Sequence, residues 1–184
     1  MGWDSIRGQE EAVDYLRGSI RKGKVVNGYL FQGPEGVGKE LTAKVFARAL
    51  NCQRSRTDAC GRCPACRQIE KGSSPDVYFV YPVKKSGSIS IDQIRNLQKK
   101  AYLKSSPDSW KVLAVNEAEM MNAPAQNSLL KTLEEPPGRT VFILVTARPE
   151  QLLPTIRSRC QAVRFRPWSL ELMTPFLEAE AGLD

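Results

Sequence analysis

The segment Gly33-Pro34-Glu35-Gly36-Val37-Gly38-Lys39 constrains this chain more than any other part of it. It follows the apolar run Tyr29-Leu30-Phe31-Gln32, which fits a buried parallel strand, and leads into a helical stretch over residues 39–50. A turn of the form G-x-x-x-x-G-K between a strand and a helix closes backbone N–H groups around a phosphate. The helix N-terminus adds a favourable dipole and the lysine a positive charge. The alternative is an ordinary glycine turn before a helix, and the two flanking elements argue against it.

The remaining segments alternate in the same way. Val13, Leu16 and Ile20 recur at helical spacing over residues 9–22. Strands are expected at 77–81, closed by Pro82, and at 110–115, 140–146 and 162–165. Ser90 and Gln93 match a capping box that opens a helix with Ile91, Ile94, Leu97 and Ala101 on one face. A helix over 124–135 is stopped by Pro136-Pro137, and a short helix is expected at 150–157. Strands alternating with helices imply an α/β domain, a parallel sheet with helices on both faces. The 184 residues suit one such domain, or one and the start of a second. The chain stops inside a helix expected to begin near Ser169, which suggests a domain of a longer protein.

Composition narrows the chemistry. With 41% hydrophobic and 26% charged residues, a sizeable core can be buried. The chain has no His, which removes Ser–His and Cys–His catalysis and every imidazole metal ligand. A net charge of +7 is compatible with an acidic partner such as nucleic acid. Arg95, Lys99, Lys100 and Lys104 lie on one helix and read as its wet face before a phosphate-contacting stripe. The N-terminus lacks a secretory pattern and no apolar run is long enough to cross a bilayer, so a cytoplasmic location without membrane is the expectation.

The phosphate loop departs from a hydrolytic site at the position after Lys39. A Ser or Thr there would ligate Mg²⁺, but the residue is Glu40. Two unit charges at ~4 Å and an effective dielectric near 20 repel by about 4 kcal/mol, enough to outweigh one good phosphate contact. The apolar strand Val112-Leu113-Ala114-Val115 should end in Asp-Glu, for the metal and for attacking water, but ends in Asn116-Glu117. Two altered metal positions point to lost hydrolysis and make ATP or ADP binding doubtful.

Of the five cysteines, four form C-x₇-C-x₂-C-x₂-C: Cys52, Cys60, Cys63 and Cys66. Two-residue gaps let thiolates converge on one ion, and four complete a tetrahedral shell, so structural zinc is the first reading. An iron–sulfur cluster and unligated thiols remain as alternatives. Arg54, Arg56, Arg62 and Arg67 surround the cluster as a solvated surface or a partner-binding patch.

From about Gly8 to Phe165 the chain resembles bacterial clamp-loader subunits of the AAA+ superfamily, the delta-prime and gamma/tau paralogues. The resemblance rests on the phosphate loop, the four-Cys insertion after its helix, and Ala125-Gln126-Asn127-Ser128-Leu129-Leu130-Lys131-Thr132-Leu133-Glu134-Glu135-Pro136-Pro137. Thr146 matches the polar sensor at the end of the fourth strand, and Ser158-Arg159-Cys160 the Ser-Arg-Cys motif. It implies an AAA+-type P-loop domain over 1–166 with a zinc module inserted at about 51–70, and the start of a lid domain at 167–184. It implies Gly33, Gly36, Gly38, Lys39, Asn116, Glu117 and Thr146 as a degenerate nucleotide site. Gamma/tau keeps an intact site because it hydrolyses ATP, so Glu40 and Asn116 favour the delta-prime type, a non-hydrolysing part of a DNA polymerase III holoenzyme. Its partners would be gamma/tau and delta subunits and, through the complex, the sliding clamp and primed DNA. Arg159 would act in trans as an arginine finger on a neighbour's ATP. A gamma/tau-like ATPase and a zinc-stabilised nucleic-acid-binding domain are the competing readings.

Overall fold

A computed structural model of the chain describes residues 2–83, 87–105, 108–168 and 173–174. Five parallel strands, β1 (Gly28–Gln32), β2 (Val77–Val80), β3 (Lys111–Val115), β4 (Thr140–Thr146) and β5 (Gln161–Arg164), form one sheet in the order β2-β3-β4-β1-β5. Six α-helices join them: α1 (Glu10–Arg21), α2 (Lys39–Asn51), α3 (Pro64–Glu70), α4 (Ile91–Ala101), α5 (Ala123–Glu134) and α6 (Pro154–Arg159).

Strand alternation divides the core into two layers. On β3 and β4, Val112, Ala114, Val141, Ile143 and Val145 turn to the face covered by α1 and α2, where Leu16 and Phe46 pack. Leu113, Val115, Phe142 and Leu144 turn to the other face, against Ile94, Leu97, Leu129 and Ile156 of α4, α5 and α6. All of β3 and β4 is buried, as near-continuous apolar strands covered on both sides require. The expected α/β architecture is the one observed.

Differences from the sequence reading have local causes. The helix expected at 150–157 is split into a 3₁₀ turn, Pro149–Gln151, and α6. Pro154 stands at the start of α6, and the preceding Leu153, at φ −53° and ψ 137°, lies outside the helical region that a following proline disfavours. Buried Gln126 bridges the break, accepting from the Leu153 N–H at 2.8 Å and donating to the Gln151 and Met121 carbonyls. Helix α3 was not expected; Pro64 opens it and the Cys63 sulfur caps it by accepting from the Cys66 N–H. The capping box of Ser90 and Gln93 is present as read. The helix expected from Ser169, and with it most of the assigned second domain, lies outside the described residues. No helix among the described residues is long and apolar enough to cross a membrane.

Candidate functional site

Strands β1, β3 and β4 end at a cleft of about 440 Å³. Gly36, Gly38, Lys39, Asn116, Glu117 and Thr146 all line it, as do Glu35, Glu40 and Glu119. Gly33 lies outside the lining but shapes the turn. Its φ of 155° is glycine territory, and a Cβ there would overlap the Phe165 carbonyl oxygen. Gly38, with φ 91°, caps the start of α2.

Lys39 is buried, and its ammonium donates to the carbonyls of Gly33, at 2.6 Å, and Pro34. Burial pushes the amine below its ordinary value, against the pull of Glu119 and Glu35. Glu40 turns aside from Lys39: one carboxylate oxygen accepts from the Tyr81 hydroxyl at 2.7 Å and pairs with Lys44 at 2.6 Å. Burial alone would raise this carboxyl, but the bonds from Lys44 and Tyr81 and the Lys44 charge outweigh it, so it titrates below the usual range. A carboxylate so paired repels phosphate less than the unpaired charge considered from sequence. What persists is the missing hydroxyl.

Past the end of β3 the chain turns sharply. Glu117 is the one non-glycine residue at positive φ among the described residues, at 49°, a conformation costing about 1–3 kcal/mol. Two residues on, Glu119 is buried, a cleft residue that the sequence reading missed. One of its oxygens accepts from the Ala147 N–H at 3.0 Å and faces Arg148 at 3.9 Å; the other has no hydrogen-bond partner among the described residues. Thr146, fully buried at the end of β4, accepts from the Arg148 N–H at 3.0 Å. The lining therefore sets Lys39 against the carboxylates of Glu35, Glu40, Glu117 and Glu119. These residues do not fit a hydrolytic Mg²⁺–nucleotide site, which needs a hydroxyl and an Asp where Glu40 and Asn116 stand.

At the other end of α2, the sulfurs of Cys52, Cys60, Cys63 and Cys66 all lie within 4.8 Å of one another. Thiolates at ~2.3 Å from one tetrahedral ion stand ~3.8 Å apart, so the cluster can hold a metal after slight contraction. The Ser55 and Cys60 N–H groups donate to the Cys52 sulfur, and those of Arg62 and Cys63 to Cys60. The bonds from Arg62 and Cys63 bring the Cys60 thiol down to about 6. For Cys63, burial opposes its hydrogen bonds but the net shift is downward; for Cys66, burial dominates and raises the thiol. Cys160 stands apart from the cluster, its thiol pushed up to about 12 by burial. Trp3 ties the module to the core: its indole N–H donates to the Thr57 carbonyl at 2.8 Å, and its ring packs on Phe46.

Arg159 ends α6, away from the cleft in its own chain. It donates to the Thr155 carbonyl at 2.9 Å and forms an ion pair with Glu134 of the Glu-Glu-Pro-Pro run. Arg95, Lys99, Lys100 and Lys104 are exposed, with Lys100 over the Tyr78 ring.

With this geometry in hand, similarity to known proteins is specific. The family model described as "DNA polymerase III, delta subunit" matches residues 8–169. DNA polymerase III subunit delta' of Pseudomonas aeruginosa is 42% identical over 133 residues, covering 72% of this chain and 40% of the relative. Subunit delta' of Bacillus subtilis is 39% identical over 160 residues, covering 86% and 48%. Subunit tau of Bacillus subtilis is 38% identical over 165 residues, covering 89% and 29%. The chain thus spans under half the length of these relatives. Among solved structures, a gamma-subunit-related protein of Thermotoga maritima superimposes with a TM-score of 0.61 at 23% identity, covering 91% of this chain and 49% of that one. A Thermotoga maritima RuvB variant gives 0.63 at 16% identity, covering 98% and 54%. Both show the fold alone, a P-loop-type sheet flanked by helices.

Proposed function

The chain belongs to the DNA polymerase III delta-subunit family, and on that premise we propose that it is a non-hydrolysing, delta-prime-type subunit of a clamp loader. Such a subunit helps open a sliding clamp and place it on primed DNA, beside gamma/tau and delta subunits. Identity to relatives named delta' and tau overlaps, at 42%, 39% and 38%, so the choice between them rests on the cleft. The observation that carries it is the joint presence of Glu40 and Asn116 in one cleft, where a metal-dependent site needs a hydroxyl and a carboxylate. The second reading, a gamma/tau-like ATPase, draws on the retained Lys39, Glu117 and Thr146.

The metal assigned to Cys52, Cys60, Cys63 and Cys66 is zinc. Thiolate softness and four-sulfur convergence favour it, and a closed shell leaves no open position for catalysis. When bound it supplies folding energy, and these residues hold the end of α2 to α3. The domain limits follow the same reading: an AAA+-type unit over 1–166 and the beginning of a lid over 167–184.

Arg159 is assigned the role of arginine finger on the ATP of an adjacent gamma/tau subunit. Its place at the end of α6 and its partly exposed side chain, 35% accessible, support this. An arginine supplied in trans is worth ~10³ to 10⁵ in rate. The test reconstitutes the protein with gamma/tau, delta and clamp, and measures DNA-stimulated ATP hydrolysis. Lys39→Ala should leave the rate unchanged, whereas Arg159→Ala should depress it in a complex that still assembles. A rate that falls with Lys39→Ala favours the ATPase reading, and a full rate with Arg159→Ala removes the finger.

A further inference from the structure

We propose that the open edge of β2, with the groove between it and helices α2 and α3, takes up an extended acidic peptide segment of a partner protein as an added strand. β2 is the outermost strand of the sheet and pairs with β3 alone. The carbonyls of Asp76 and Val80 accept from the N–H groups of Val112 and, just past β3, Asn116. Backbone groups alternate sides along a strand, so Val77 and Phe79 turn their N–H and C=O groups away from β3. Among the described residues no strand lies on that side. The edge therefore presents donors and acceptors at the spacing of an extended chain. Its four residues, Val-Tyr-Phe-Val, include none of the charges or prolines that commonly block such an edge.

Beside this edge lies a groove of about 640 Å³. Its apolar wall comes from Leu41 of α2, Ile69 of α3, and Val77 and Phe79 of β2 itself. The Phe79 ring stacks on Tyr81 with centroids 6.4 Å apart, and the Lys44 ammonium stands 5.7 Å from its centre. Lys44, Arg48 and Lys71 line the groove, against the one carboxylate of Glu70. The Arg48 side chain is 3% exposed, and its Nη1 meets Glu70 at 3.3 Å. Its Nε is buried without a hydrogen-bond partner among the described residues. A buried guanidinium N–H normally has an acceptor, so this nitrogen marks a place for an incoming oxygen. Lys71 is exposed and enters no ion pair among the described residues.

Backbone and charge together select the occupant. A phosphodiester link offers acceptors alone and would leave the Val77 and Phe79 carbonyls unanswered, whereas each peptide unit brings a donor and an acceptor. Alternate side chains of an added strand fall on the α2 side of the sheet. There an apolar side chain meets Ile69 and Phe79, and an acidic one meets Arg48 and Lys71. The site uses neither the phosphate loop nor Arg159, so it stands or falls independently of the proposed function.

The test follows the fluorescence anisotropy of a labelled peptide, Thr-Glu-Thr-Leu-Thr-Glu, titrated with the zinc-loaded protein. Its β-branched residues favour an extended chain, and its other face is acidic and apolar. Saturable binding is expected, weakened roughly tenfold by Lys71→Glu and by glutamine in place of both peptide glutamates. Lys71 is exposed, so that variant should melt as the parent does. Arg48→Gln should weaken binding as well, with its melting measured alongside because the site is buried. Lys22→Glu, exposed at the end of α1 and outside the groove, should bind as the parent does. Methylating alternate peptide nitrogens should abolish binding in one of the two registers, because one set of amides faces β2. No saturable binding, or binding indifferent to Lys71→Glu and to both methylated forms, overturns the proposal. So does single-stranded DNA that displaces the peptide through the same Lys71, or a dimer of the protein that Lys71→Glu dissolves. The first would give the face to nucleic acid and the second to another copy of the chain.

Discussion

Helix α2 carries a ligand site at each end, and the two are in opposite condition. At its start, capped by Gly38, the phosphate loop shares a cleft with Glu40, tied to Tyr81 and Lys44, and with Asn116, which stands where a metal-dependent nucleotide site has a carboxylate. At its end, capped by Cys52, four sulfurs converge and backbone N–H groups already point at them. The difference follows from what each site does for the fold. The cleft loop is held between β1 and α2, with Gly33 packed against the Phe165 carbonyl just past β5. The cysteine segment has a small cluster of its own around Ala59, Cys63 and Cys66, and a metal held there would supply part of its folding energy.

The largest effect should come from the cysteine end. Cys66→Ser, or chelation of the metal, removes a site whose zinc binding is worth ~10–16 kcal/mol in small zinc modules. Metal analysis should fall below one equivalent and melting should drop by roughly 10 °C or more. Full melting temperature in the chelated protein would erase the contrast between the two ends. Next comes Trp3→Ala, which removes the ring between module and core at a cost of ~3–5 kcal/mol while leaving all four thiolates. Calorimetry should show a lower melting temperature with stoichiometric zinc retained; loss of zinc instead would mean the core builds the metal site.

The smallest effect belongs to Glu40. Its carboxyl is depressed in the fold, so its contribution is present above the unfolded glutamate value of about 4.3 and disappears as pH falls through the lower folded value. The group is 35% exposed, so the gain is on the order of 1 kcal/mol or less. Glu40→Gln should lower stability slightly at neutral pH and converge with the parent in acid. A stability gap that persists unchanged in acid would show that the carboxylate is not held by Lys44 and Tyr81.

Sequence pattern carried the sheet and most of its helices because β3 and β4 are apolar throughout and the Ser90–Gln93 box marks its helix unambiguously. Loop spacing and C-x₂-C gaps are local signals, so it also picked out residues that line the cleft and the four cysteines whose sulfurs converge. What it did not carry depends on contacts between distant segments. Glu119 reads as one more surface acid until β3 and β4 end side by side and bury it against Ala147. The i,i+4 pair Glu40–Lys44 was visible in principle, but Tyr81, 41 residues away, was not. Helix α3 is hidden because a run dense in Cys and Gly reads as ligands and turns, which masks Pro64 as a helix start.

Whether the cleft supports nucleotide chemistry is tested most directly by titrating the protein with ATP in the presence and absence of Mg²⁺ while following phosphate release. With Glu40 and Asn116 at the metal positions, no saturable binding in the micromolar range, no gain from Mg²⁺ and no turnover are expected. Micromolar binding of Mg²⁺–ATP with steady phosphate release, abolished by Lys39→Ala, would contradict that expectation.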